Sequence, residues 1–132
     1  MRLQDWQLRF AAFIRARTAV PFAWGRNDCC LFAADALQAI TGRDFAAGVR
    51  GAYQDARGAA ALVRERGGLA EIATAALGPS VPPLMAMVGD VVLVENEGRE
   101  VLAICNGTSA IAPAEAGLAV IGMDAARACW KV

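Results

Sequence analysis

The chain has 132 residues, 57% apolar and 20% charged, with 13 basic and 13 acidic side chains and no net charge. That size and apolar content suit one domain with its own core and exclude a disordered chain. The balanced charge argues against an electrostatic nucleic-acid binder or a polybasic membrane-surface protein.

Near the start, Asp5, Arg9, Arg15 and Arg17 interrupt any apolar h-region, so no secretory leader is expected there. No run of 18 apolar residues occurs anywhere, so no spanning helix is expected. A reducing cytosol is then the expected folding compartment. Cys29, Cys30, Cys105 and Cys129 are expected to be free thiols. The sequon Asn106-Gly107-Thr108 carries no weight without a secretory route.

Trp6, Phe10, Phe13 and Ile14 follow helical spacing, predicting a helix over Asp5 to Arg17 with Asp5 near its N-cap. Pro21 and Gly25 punctuate the loop that follows. Asp28 is a good N-cap for a second helix, Cys29 to Thr41, and Gly42 suits the position just after its end. Further helices are predicted over Gly51 to Arg66 and Leu69 to Leu77. Residues 1–78 thus form a mainly helical half.

Pro79 to Leu84 reads as a stiff linker. From residue 85 to 132 the chain is β-rich: Asp90 to Glu95, Glu100 to Cys105, Ser109 to Ala112, Leu118 to Ile121, and an edge strand in the tail ARACWKV. Glu97-Gly98 and Asn106-Gly107 are turn signals. Helices first and an antiparallel sheet second means a single α+β domain.

The stretch WGRNDCCLFAADALQAITGRD, Trp24 to Asp44, places Cys29 at the first turn of a helix. The helix dipole there lowers a thiol pKa, by less than about one unit at roughly 0.3–1 kcal/mol. An ionised Asp28 opposes it. The chain contains no histidine, and Lys131 is its only lysine. Glu95, Glu97 and Glu100 are acidic, whereas lowering a thiol pKa calls for a cation. Each feature also has a plain structural reading. Trp24 packs, Asp28 caps, and Asp44 ties its loop by local hydrogen bonds. The three glutamates form a solvated hairpin, and Arg64, Glu65 and Arg66 a solvated helix end. Met85 and Met87 pad the core or an interface, and the other cysteines are small buried hydrophobes. No C-x-x-C or similar spacing exists, so neither a metal nor a cofactor is expected.

FAWGRNDCCLFAADALQAITGRD, then VGDVVLV, VLAICNG and AIAPAEAGL, resembles the NlpC-type cell-wall peptidase superfamily, chiefly its small phage and prophage members. The shared pattern is W-G-x-x-D-C followed by a helix and G-x-D, and the likeness covers roughly residues 20–125. It implies a papain-like fold: N-terminal helices packed on a small antiparallel, barrel-like sheet. Trp24, Gly25, Asp28 and Asp44 belong to the motif, and Gly89-Asp90 matches the G-D that opens the first strand. Cys29 takes the nucleophile's position, Val101 the histidine's, and Ile111 or Ala112 that of the third, polar residue. The resemblance implies a catalytically degenerate domain serving as a structural part of a phage-type tail. It would be assembled in the bacterial cytoplasm with other tail-tip proteins as partners. The alternative is a thiol peptidase or amidase acting on peptidoglycan peptides, with a carboxylate, a water or a partner's residue as base. A regulator with a ligand groove at Trp24 and Cys29 is a third reading.

Overall fold

The computed structural model describes residues 1–132. Four helices, α1 (Trp6–Arg17), α2 (Cys29–Thr41), α3 (Ala56–Glu65) and α4 (Leu69–Leu77), precede five strands. These are β1 (Val91–Asn96), β2 (Arg99–Cys105), β3 (Ser109–Ala114), β4 (Gly117–Gly122) and β5 (Ala126–Trp130). The strands form one antiparallel sheet in the order β4-β3-β2-β1-β5. The class is α+β, as expected. The sheet is not closed into a barrel: β4 and β5 are its two edges.

Strand residues alternate between two cores, as the period of two requires. Val91, Leu93, Leu102, Ile104, Ile111 and Trp130 face α1, α2 and α4, packing on Phe10, Phe32, Leu37, Ile40 and Ala73. Val92, Val94, Ala103, Cys105, Ala112 and Cys129 form a second cluster on the other face. The indole N–H of buried Trp130 donates to Thr74 Oγ1 at 3.1 Å and ties α4 to β5.

Helix α2 keeps its expected bounds, because Asp28 accepts from Leu31 N–H at one end and Gly42 takes the left-handed conformation (φ 80°) at the other. Helix α3 begins at Ala56, not Gly51. Asp55 caps it by accepting from Gly58 N–H at 2.8 Å, and residues ahead of the cap form turns. Within the linker, Pro83–Met85 forms one 3₁₀ turn. Met85 and Met87 lie exposed beside Leu84 and pad no core.

Asp90 is fully buried. It accepts from Arg2 at 3.0 Å, from Lys131, and from the backbone N–H groups of Met87 and Val132. Four donors compensate the buried charge and draw residues 2 and 131 to the start of β1. No helix is long and apolar enough to cross a membrane.

Candidate functional site

Strands β2 and β3 pair at only two positions, Ile104 with Ile111 and Cys105 with Ala110. The same register would next set Leu102 against Pro113 and Glu100 against Glu115. Pro113 has no N–H to give, and two like charges directly opposite repel. The strands therefore splay, and a cavity of about 470 Å³ opens between them.

Cys29, Val101, Ala112, Pro113, Ala119 and Ile121 line the inner part of this cavity. Phe22 and Trp24 wall one side, edge to face with ring centroids 4.7 Å apart. Phe22 is held by its N–H donating to Ala114 C=O at 2.8 Å. Asn96, Glu97, Arg99, Glu100 and Glu115 complete the lining. None of these three carboxylates forms an ion pair.

Asp28 sets the position of Cys29. Its carboxylate is buried and accepts from Leu31 N–H, Gly25 N–H and the Tyr53 hydroxyl. Gly25 sits at φ 77°, and a Cβ there would lie 2.6 Å from Tyr53 C=O, so the loop needs glycine. Burial, together with the bond to Asp28, pushes the Tyr53 phenol well above its ordinary range.

The Cys29 thiol is shifted below its ordinary value. The largest cause is a hydrogen bond from the Cys30 thiol, opposed by burial. The backbone N–H of Leu102 also lowers it, and the Asp28 charge raises it. Leu102 lies beyond the two positions at which β2 pairs with β3. Cys30 is pushed far up by the same pairing and by burial. On the far side of the sheet, burial pushes Cys129 up to about 11. Sequence reasoning weighed only the helix terminus and Asp28; the Cys30 and Leu102 donors change the sum. All four cysteines are free thiols.

Of the expected site residues, Trp24, Cys29, Val101 and Ala112 meet at the cavity, and Gly25 and Asp28 support it from behind. Asp44 does not line it: Asp44 accepts from Ala46 N–H and pairs with Arg50. Gly89 and Asp90 do not line it either; they hold the β1 end and the chain termini. Glu95, Glu97 and Glu100 form the exposed β1–β2 hairpin, as expected; Glu95 pairs with Arg127, and Glu97 and Glu100 also rim the cavity. Tyr53 was missed, with no local signal across 25 positions. Pro113 was missed: it lies one residue past the strand expected over Ser109 to Ala112, whereas β3 runs through it to Ala114.

An α+β fold with a cysteine at a helix start, opening on a wedge between strands, defines a thiol-bearing cleft protein. The whole chain, residues 1–132, matches a family described as a domain of unknown function (DUF6950), and the protein belongs to that family. No curated protein matches it.

Proposed function

We propose that the protein is a catalytically degenerate NlpC-type, papain-like domain serving as a structural part of a phage or phage-like tail. One observation carries the first half. The cavity gathers Cys29 and Val101, to which the family resemblance assigns the nucleophile and the histidine, with Ala112, one of the two positions (Ile111 or Ala112) that it gives for the third group. Only Cys29 keeps a reactive side chain. A papain-type thiol relies on a histidine that also protonates the leaving amine, help worth roughly 10²–10⁴-fold. Neither Val101 nor Ala112 can move a proton. The tail role rests on the resemblance to phage and prophage members. The exposed run Leu84, Met85 and Met87 suits burial against tail-tip subunits, with assembly in the bacterial cytoplasm.

The test is twofold: hydrolysis of peptidoglycan stem peptides by wild type and Cys29→Ala, alone and with co-purifying tail proteins, and incorporation into virions. The expected result is no Cys29-dependent turnover and stable association. A protein that never joins tail components sinks the reading.

A second reading is favoured by the lowered Cys29 thiol and by Glu97 and Glu100 lining the same cavity. It is a peptidase or amidase whose base is a carboxylate or comes from a partner chain. Turnover lost in Cys29→Ala would establish it.

A further inference from the structure

We infer that the cleft between β2 and β3 receives an extended, basic segment of a partner protein, which adds to the unpaired rim of β2. The inference rests on the scaffold reading and names the chemistry of its partner.

Two independent observations carry it. The first is backbone. Cys105 exchanges hydrogen bonds with Asp90 and Gly89, so it and its alternate neighbours Ala103 and Val101 turn their backbone groups toward β1. Ile104, Leu102 and Glu100 then turn theirs toward β3. Ile104 finds Ile111 there. Leu102 has no paired residue on β3. Beyond that point the rim of β2 at Glu100 has no strand partner. An open rim of this kind is the docking element of β-strand addition, where main-chain bonds give affinity and pockets for alternate side chains give specificity.

The second is charge. The three carboxylates that line the wedge, Glu97, Glu100 and Glu115, face a single cation, Arg99, and none is neutralised by an ion pair. The Phe22 and Trp24 rings beside them can take a cation on their faces. An acidic or apolar strand would leave these carboxylates repelled or uncompensated; alternating lysines or arginines would meet them.

The probe is the blocked pentapeptide acetyl-Lys-Val-Lys-Val-Lys-amide. It is compared with its Glu counterpart and with a form N-methylated at both valines, by calorimetry on the full chain, with peptide integrity followed by mass spectrometry. The Lys peptide is expected to bind, the Glu peptide to bind at least about tenfold more weakly, and N-methylation to weaken binding. Glu97→Lys/Glu100→Lys is expected to weaken the Lys peptide about tenfold or more, and the remote, exposed Glu65→Lys to leave it unchanged. Equal binding of the Lys and Glu peptides, no effect of the double variant, or no binding of the Lys peptide at all overturns the inference. Cleavage of the peptide that disappears in Cys29→Ala would sink the scaffold reading instead, while the affinity comparison still decides the docking.

Discussion

The Tyr53 hydroxyl donates to the Asp28 carboxylate at 2.6 Å, in a buried bond between the segment before α3 and the cap of α2. The same carboxylate accepts from Leu31 and Gly25, so one side chain fixes both the helix that starts with Cys29 and the loop that carries Trp24. Tyr53→Phe is expected to cost about 1–3 kcal/mol by leaving a buried acceptor short of a donor. Asp28→Ala also removes the cap, which alone is worth about 0.5–2 kcal/mol, and should cost more than Tyr53→Phe. Urea unfolding of the two variants ranks them; equal stability of Asp28→Ala and wild type contradicts the role given to Asp28.

Thiol labelling separates neighbouring cysteines. Only thiolate reacts, and thiolate forms as pH rises through the pKa. Cys29 is shifted down and Cys30 up, so alkylation at neutral pH should fall on Cys29 first, with a pH midpoint below that of an ordinary thiol. Peptide mapping after a brief iodoacetamide pulse reads this directly. Cys30 labelled before Cys29 contradicts the environment described for the pair.

Val101→His puts an imidazole into the cavity that Cys29 lines. A protonated imidazole near a thiolate lowers its pKa by about 1–3 units. The Cys29 labelling midpoint should therefore move further down in Val101→His, and Glu65→His on the exposed end of α3 should leave it in place. An unmoved midpoint means that Val101 does not face the thiol.

Amide hydrogen exchange tests the splay. Val101 N–H lies in the β1–β2 ladder opposite Val94, whereas Glu100 N–H looks into the wedge. Glu100 should exchange at least about tenfold faster than Val101. Comparable protection at the two positions would mean that the strands close in solution.

Asp90→Asn replaces a buried charge that faces Arg2 and Lys131. Breaking a buried pair of this kind costs about 3–5 kcal/mol. The half-exposed pair of Arg127 and Glu95 should contribute less than about 1 kcal/mol, so Arg127→Ala serves as the mild control in thermal unfolding. A small effect of Asp90→Asn would show that its neighbours relax around the loss.

The sequence by itself determined what is local. Asp28 and Gly42 sit at the two ends of one helical pattern, and each acts on backbone within four residues, so α2 is readable to the residue. The strand pattern is likewise a period of two along one stretch of chain, and with the helices ahead of it yields the α+β class; Gly68 and Gly78 mark both ends of α4. Start signals compete when several are present, which is why α3 was placed five residues early: Asp55 caps more strongly than Gly51 initiates. What the tertiary structure alone decided is which distant groups meet. That Tyr53 reaches Asp28, that Cys29 and Val101 line one cavity, and that Glu97, Glu100 and Glu115 share it all depend on strand register and on which sheet face α2 covers. Those are fixed by packing two cores at once, with partners tens of residues apart, and no local pattern encodes them. Pro113 stands between the two cases: a proline is plain in the sequence, but only its register opposite Leu102 turns a missing N–H into an open cleft.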